Sequence, residues 1–205
     1  MSLEFVIVAG SYVLGSVPFA YIVTRLVTGK DIRTTGSGNV GATNTLRAAG
    51  PAAAAAVMVL DVAKGVVPVL AMRAVNPASW WVGGAAVAAV TGHCFPVWLR
   101  FRGGKGVATA CGAFVTLSPL AAACAAAVWL ALLAAFRIVS LASVVAVATF
   151  PVWLYWIQRA PSGLVMAGAV VAVIIIGRHH ANLRRLAAGI EPRLGERHPN
   201  DRGEG

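Results

Sequence analysis

Long runs of apolar residues, separated by short polar segments, make up most of the chain. Twenty uncharged residues lie between Glu4 and Arg25, and further uncharged runs cover residues 74–99, 106–136, 138–158 and 160–177. Each run can form a helix of about 20 residues, the length that crosses roughly 30 Å of hydrocarbon. Because 59% of the residues are hydrophobic and only 12% are charged, the pattern predicts an all-α, polytopic integral membrane protein.

The loops between these runs indicate the number of crossings, because Lys and Arg collect in short cytoplasmic loops. A further helix is expected over residues 51–71, and Ser118-Pro119 is expected to divide residues 106–136 into a hairpin of two helices. We predict seven transmembrane helices, with the N-terminus outside and the C-terminus cytoplasmic, which places fourteen basic residues inside and two outside. A single span over residues 106–136 would give six spans instead, since residues 107–117 are short for a full crossing.

The remaining composition argues against nucleic acid and against a cofactor. The net charge is +10, but the basic residues lie in short loops and in the tail, so membrane topology explains them better than a nucleic-acid surface. The three cysteines lack metal-ligand spacing, and the seven carboxylates form no cluster suited to a two-metal site. We predict no metal, no cofactor, a single domain over residues 1–195 and a polar, disordered tail over residues 196–205.

A glycine-rich segment over residues 36–47 follows the first predicted helix. Its first three glycines have the G-x-G-x-x-G spacing of dinucleotide sites, but a membrane helix precedes them instead of a strand, which argues against that function. Glycines still allow backbone N–H groups to converge on an anion. Hydrogen-bonding side chains lie between and just after them: Ser37, Asn39, Thr43 and Asn44. A flexible loop with turn glycines is the alternative.

A second polar segment, residues 102–106, places Lys105 between glycines at the start of the fourth predicted helix. It is not a P-loop, because Leu99 stands where the first glycine should be and Gly106 stands where Ser or Thr would hold magnesium. The unpaired N–H groups and the positive dipole at a helix start still favour a phosphate there. The alternative is that these residues only determine the topology.

Residues 178–182 extend the last predicted helix beyond the membrane surface. His179 and Asn182 are three positions apart and therefore share one helical face. The topology brings them to the same side as the two glycine-rich segments, which favours a common site. Asp61 and Lys64 have the same spacing within the second helix, where a mutually neutralised structural pair is the simpler interpretation.

Several further motifs occur in order along the chain. They are Gly-Ser-Val-Pro-Phe at 15–19, the segment 36–47, Gly-His-Cys-Phe-Pro at 92–96 with Phe-Arg-Gly-Gly-Lys-Gly-Val at 101–107, and His-x-x-Asn at 179–182 followed by Gly-Ile-Glu-Pro at 189–192. Together they resemble the motifs of the bacterial acyl-phosphate:glycerol-3-phosphate acyltransferases, the PlsY family. The sequence lacks the His-x-x-x-x-Asp pair that is typical of acyl-CoA-dependent glycerolipid acyltransferases.

The resemblance implies transfer of a fatty acyl group from acyl phosphate to the 1-hydroxyl of glycerol 3-phosphate, which gives lysophosphatidic acid and inorganic phosphate. His179, Asn182 and Lys105 would be the catalytic residues. The implied substrate- and phosphate-binding residues are Ser37, Asn39, Thr43, Arg47, Gly103, Gly104, Lys105 and Ser143. His180-Ala181 replaces the charged residues that are more usual in this motif, which weakens any role for those two positions.

Acyl phosphate is a mixed anhydride with a good leaving group, so direct attack by the glycerol hydroxyl is expected instead of an acyl-enzyme. Arg47 and Lys105 are expected on opposite sides of one phosphate pocket, and the base is either a substrate phosphate oxygen or His179. The implied location is the bacterial cytoplasmic (inner) membrane, with the site facing the cytoplasm. Membrane lipid and the enzyme that makes acyl phosphate are the implied partners. An anion transporter and a non-catalytic scaffold are the rival functions.

Overall fold

The computed structural model describes residues 2–195, and within that range every regular element is a helix. The α-helices are α1 (Leu3–Gly15), α2 (Phe19–Thr28), α3 (Ala42–Val75), α4 (Ser79–Cys94), α5 (Val107–Leu117), α6 (Pro119–Phe136), α7 (Val139–Trp156), α8 (Ser162–Arg178) and α9 (His180–Ala187). Two short 3-10 helices, Ile32–Thr34 and Val97–Leu99, lie in the segments before α3 and α5. The predicted all-α class is confirmed.

Most of these helices have the length and apolarity of membrane spans. Five segments qualify individually, Leu3–Thr28, Ala42–Val75, Ser79–Leu99, Pro119–Phe136 and Val139–Trp156, and the bent pair of α8 and α9, which meet at 60°, gives a sixth. Helix α5 is apolar but has only 11 residues, which is about 17 Å at 1.5 Å per residue. Residues 2–195 are thus all-helical, with spans typical of an integral membrane protein.

Two breaks lie within the long apolar segments. The first separates α1 from α2 at Pro18, whose backbone is non-helical (φ −90°, ψ 71°). The second is at Gly50 in α3, where a φ of 82° lies in the left-handed region that glycine adopts without steric cost. Residues 42–47 were predicted as part of a loop but form the first section of α3, and Pro51 then begins the main section, where a proline at a first turn is tolerated.

Glycines bring the helices near the polar segments into close contact. A Cβ atom at Gly65 of α3 would lie closer than 3.0 Å to the backbone of Thr109 in α5, and one at Gly112 of α5 would meet the backbone of Val62 in α3. Small residues at helix crossings are the usual packing solution in membranes, because they let two backbones approach. Helix α5 is thereby held against α3, which fixes where the segment before α5 lies.

Larger side chains fill the space between α5, α7 and α8. Phe114 and Phe150 stack with ring centroids 3.5 Å apart and ring planes at 7°, and Val171 and Ile175 are fully buried in the same cluster. This cluster includes residues from α3 through α8. The predicted tail over residues 196–205 lies outside the described residues.

Candidate active site

A polar cavity opens where three segments meet: the loop before α3, the segment before α5, and the junction of α8 and α9. Its volume is about 550 Å³. The lining residues are Asp31, Arg33, Thr34, Ser37, Gly38, Asn39, Arg102, Gly103, Lys105, Arg178, Ala181, Asn182 and Arg185. Five of the thirteen are Lys or Arg and one is acidic, so the cavity suits an anionic ligand. The three polar segments of the sequence thus meet at one end of the helices.

Lys105 is the partly buried ammonium group of this cavity. It has no hydrogen-bond or ion-pair partner within residues 2–195. Burial lowers the pKa of Lys105 to about 8, with Arg185, Arg47 and Arg178 adding to the shift and Glu191 opposing it. Lys105 is therefore still largely protonated at neutral pH and loses its charge as the pH rises through about 8. An unpaired cation of this kind favours an anion from solution.

The two glycines before Lys105 use their N–H groups to hold the segment in place. The Gly103 N–H donates to the Cys94 carbonyl (3.2 Å), and the Gly104 N–H donates to the His93 carbonyl (3.1 Å). Carbonyls in the last turn of a helix lack helical partners, so these bonds satisfy the end of α4. The positive character of this wall therefore comes from side chains and not from these two N–H groups.

The loop before α3 also pairs its N–H groups internally, so the predicted convergence of these groups on an anion is not what the structure shows. The Ser37 N–H donates to Asn44 Oδ1 (3.1 Å), and the Gly38 N–H donates to the Thr35 carbonyl (3.0 Å). Asn44 is buried, and its amide nitrogen donates to two carbonyls of the same loop at 3.0 and 3.1 Å. Asn44 thus stabilises the loop, and the Ser37 and Asn39 side chains line the cavity.

Arg178, the last residue of α8, binds the backbone of the segment before α5. Its Nε donates to the Gly104 carbonyl (3.1 Å) and its Nη2 donates to the Gly103 carbonyl (2.8 Å). Its guanidinium also lies 5.3 Å from the centroid of the Phe95 ring. A planar fork can bind two adjacent carbonyls, which a compact ammonium cannot do in the same way. Arg178 was not among the predicted site residues, although it directly precedes the His-x-x-Asn motif.

His179 lies at the bend between α8 and α9, and it does not line the cavity as a catalytic residue was expected to do. Its side chain is buried, and its Nδ1 lies 2.8 Å from the Ile175 carbonyl. Because a carbonyl only accepts, Nδ1 carries the proton in this arrangement, and Nε2 is the acceptor nitrogen of the neutral ring. Its neighbours Arg178 and Asn182 do line the cavity.

Asn182 is held by the carboxylate of Glu191, which was not among the predicted site residues. Its Nδ2 donates to Glu191 Oε1 (2.6 Å), which also accepts from Ser140 Oγ (2.7 Å), while Arg185 Nε donates to Oε2 (2.7 Å). Burial raises the pKa of Glu191, but the hydrogen bonds from Asn182, Ser140 and Arg185 outweigh it and hold that pKa below its usual range. The sequence signal that could have identified Glu191 was the Gly-Ile-Glu-Pro motif at residues 189–192.

Two residues predicted to bind phosphate lie on the surface of α3, outside the cavity wall. Thr43 and Arg47 are exposed on the first turns of this helix, which begins at Ala42. Arg47 is close enough to contribute to the lowered pKa of Lys105. Arg47 does not line the cavity, so the prediction that Arg47 and Lys105 lie on opposite sides of one phosphate pocket is not what the structure shows.

Two further predicted residues also lie away from the wall. Gly104 is buried directly behind Gly103, and Ser143 of α7 accepts a hydrogen bond from Trp129 Nε1 (3.1 Å) as part of the packing between α6 and α7. The predicted residues that do line the cavity are Ser37, Asn39, Gly103, Lys105 and Asn182. Across residues 2–195, no group of three His, Cys, Asp or Glu side chains is arranged to hold a metal ion.

Comparison with known proteins gives one consistent result. The model of the glycerol-3-phosphate acyltransferase family matches residues 5–189. The glycerol-3-phosphate acyltransferase of Syntrophotalea carbinolica is 43% identical over 195 residues, covering 95% of this chain and 99% of that protein. The enzyme of the same name from Geobacter sulfurreducens is 42% identical over 191 residues, covering 93% and 97%.

Two solved structures share the fold. The crystal structure of PlsY (YgiH), an integral membrane glycerol 3-phosphate acyltransferase, in its glycerol 3-phosphate form superposes with a TM-score of 0.90 at 37% identity and covers 95% of this chain and 96% of that one. The lysophosphatidic acid form of PlsY gives a TM-score of 0.87 at 36% identity, with the same coverage.

Proposed function

The chain belongs to the glycerol-3-phosphate acyltransferase family, and on this basis we propose how its cavity performs acyl transfer. The enzyme transfers a fatty acyl group to the 1-hydroxyl of sn-glycerol 3-phosphate and forms lysophosphatidic acid. The observation that supports this site most directly is the cavity that Lys105 lines together with four arginines, Ser37 and Asn39. Its charge matches a phosphorylated substrate, and one solved relative is described as a glycerol 3-phosphate form.

The acyl donor we propose is acyl phosphate. The hydroxyl oxygen of glycerol 3-phosphate attacks the acyl carbon, a new ester C–O bond forms, and the bond from the acyl carbon to the phosphate oxygen breaks, which releases inorganic phosphate. Both substrates are anions, so the enzyme must hold two negative groups near each other. Lys105 and Arg102 reduce that repulsion, and alignment of the two groups can lower the barrier by roughly 7–11 kcal/mol in favourable cases.

The hydroxyl proton leaves with a base, and the two candidates are a substrate phosphate oxygen and His179. Both substrates would bring phosphate oxygens into the cavity. His179 is the protein candidate, with its Nδ1 oriented by the Ile175 carbonyl and its Nε2 as the acceptor nitrogen. Its side chain is buried and does not line the cavity, so a substrate phosphate oxygen is the acceptor that we propose. Asn182, whose side chain is fixed by its hydrogen bond to Glu191, would orient the glycerol 3-phosphate in the cavity.

A donor assay tests this proposal. We expect purified protein in detergent to convert labelled glycerol 3-phosphate and acyl phosphate into lysophosphatidic acid, with one phosphate released per product. Acyl-CoA and acyl carrier protein thioesters should give no product above the enzyme-free control, because the His-x-x-x-x-Asp pair of thioester-dependent enzymes is missing from the sequence. Robust product from acyl-CoA, with acyl phosphate inert, would contradict the assigned donor.

We also propose seven membrane crossings, with the N-terminus outside and the cavity facing the cytoplasm of a bacterial inner membrane. The loop before α3 and the end of α8 contribute to one cavity, so they lie on the same side. Six helices, α3 to α8, lie between these two points. If each of them crosses the membrane once, with α5 and α6 as separate crossings, the number of crossings is even and the two points lie on the same side. A single crossing over residues 106–136 would separate the two walls of the cavity.

Cysteine labelling in right-side-out membrane vesicles tests this topology. In a background without Cys94, Cys111 and Cys124, we expect an impermeant thiol reagent to modify Pro77→Cys directly and Lys30→Cys only after the vesicles are permeabilised. Both positions are exposed and lie in short loops. Direct labelling of Lys30→Cys, with Pro77→Cys protected, would show the opposite orientation.

A further inference from the structure

A buried cluster of three ionisable side chains lies behind the active-site cavity. Lys64 Nζ is 3.0 Å from Asp61 Oδ1, and His93 Nδ1 is 3.7 Å from the same oxygen. All three side chains are at most 7% exposed. Neither Asp61 Oδ1 nor His93 Nδ1 has an aligned hydrogen-bond partner. None of the three lines the cation-rich cavity, so they do not contact a ligand there.

The cluster connects the elements on which the segment before Lys105 rests. Lys64 Nζ donates to the Val17 carbonyl (3.0 Å), at the break between α1 and α2. The His93 carbonyl accepts the Gly104 N–H (3.1 Å). On the other face, a Cβ atom at Gly104 would lie closer than 3.0 Å to both His93 Nε2 and the Val40 carbonyl. The imidazole of His93 thus packs directly against the residue that precedes Lys105.

Stability alone does not account for such a cluster. Two charges taken out of water pay a large desolvation penalty, and well-packed apolar residues often stabilise a fold as much as a buried ion pair does. Ionisable groups within a membrane protein are costly for the same reason and usually have a functional role. The position of this cluster, between a helix break and the segment that presents Lys105, identifies that role.

We propose that Asp61, Lys64 and His93 are positioning residues that hold the Gly103–Lys105 segment in the geometry that presents Lys105 to phosphate. This inference rests on the proposed function. Asp61 orients Lys64 toward Val17, and the same carboxylate faces His93, whose ring and carbonyl fix Gly104. Removal of the cluster releases Gly104 and lets Lys105 move relative to the cavity, while the helices remain packed.

A pair of variants separates positioning from stability. Asp61→Asn leaves Lys64 without its partner, so we expect it to lower both the melting temperature and kcat/KM. The double variant Asp61→Leu/Lys64→Met removes both charges, so its melting temperature should return to that of the wild type, whereas kcat/KM should stay roughly 10- to 100-fold low, since a misplacement of about 1 Å has an effect of that size. Recovery of both quantities in the double variant would overturn the proposal.

A second variant and a control complete the test. His93→Leu removes the ring's polar atoms without leaving a charge unpaired, so it should fold and also lose at least tenfold in kcat/KM. Wild-type kcat/KM in folded His93→Leu would overturn the proposal even if the double variant does not fold. Arg73→Met, at the far end of α3, where Arg73 donates to the Leu117 carbonyl (3.1 Å), should keep wild-type kcat/KM.

A readout without catalysis distinguishes this inference from the proposed function. Inorganic phosphate should raise the melting temperature of the wild type, because a ligand that binds the folded state stabilises it, and the double variant should lose most of that increase. If the wild type binds phosphate but transfers no acyl group, the proposed function fails and the positioning role stands. An unchanged phosphate response in the double variant would overturn the positioning role alone.

Discussion

Replacement of Lys105 with Ala is expected to lower kcat/KM by roughly 10- to 150-fold, because a hydrogen bond to a charged group contributes about 1.5–3 kcal/mol and a partly buried phosphate would lose its partner. Lys105 is the lysine of the cavity wall and has no partner within residues 2–195 that would compete with a ligand. The measurement is steady-state kinetics in detergent, with folding checked by thermal melting.

Three companion variants show whether the position or merely the charge matters. Lys30→Ala removes a lysine from the exposed loop before α3 that does not line the cavity, so its kcat/KM should stay near that of the wild type. Lys105→Arg should remain impaired, since a planar fork does not replace a compact ammonium in a segment of glycines. Arg47→Ala should have a smaller effect than Lys105→Ala, because Arg47 is exposed. Equal activity in Lys105→Ala and Lys30→Ala would refute the phosphate site.

The pH dependence gives an independent check on the same residue. The lysine is charged below its pKa of about 8, so wild-type kcat/KM should fall as the pH rises through that value. Because the pH dependence of kcat/KM reports the pKa values of the free enzyme, a phosphate bound to Lys105 does not shift the pH at which kcat/KM falls. The kcat/KM of Lys105→Arg should not fall in this pH range, whatever its absolute value, since a guanidinium stays protonated there.

The apolar pattern predicted most of the helices, and the reason is physical: hydrocarbon offers no hydrogen bonds, so each crossing segment forms a helix. The Ser118-Pro119 break was also predicted, and α5 ends at Leu117 while α6 begins at Pro119. The kink at Gly50 was not predicted, because a Gly-Pro pair is found both at the start of a helix and at a kink within one. The residues before it were therefore interpreted as a loop.

The sequence identified the segments of the site but not the contacts between them. Asn44 has the same chemistry as Asn39, yet Asn44 is buried as a support for its loop and Asn39 lines the cavity. The bonds from Arg178 to Gly103 and Gly104 join residues about 75 positions apart. Topology places such residues on one side of the membrane, whereas their pairing depends on how α4, α5 and α8 pack.

Substitution of Gly104 by Ala is expected to lower kcat/KM by roughly 100-fold or more, the scale that follows from a displacement of about 1 Å near the reacting groups. The backbone of Gly104 has a φ that any residue adopts, so the effect is steric. The added Cβ would lie closer than 3.0 Å to both His93 Nε2 and the Val40 carbonyl. Since the carbonyl belongs to the backbone and the ring is buried, the segment itself must shift, and Lys105 shifts with it.

Gly177→Ala is the matched control for this substitution. A Cβ atom at Gly177 would meet nothing within 4 Å, and alanine is favoured over glycine inside a helix by about 1 kcal/mol. Activity and melting temperature should therefore be retained in Gly177→Ala. In Gly104→Ala, the loss of kcat/KM should exceed what any fall in melting temperature explains, and the response of the melting temperature to inorganic phosphate should shrink in parallel. Wild-type kcat/KM in folded Gly104→Ala would mean that the position of this segment does not determine the rate, because the added methyl group cannot be accommodated without moving it.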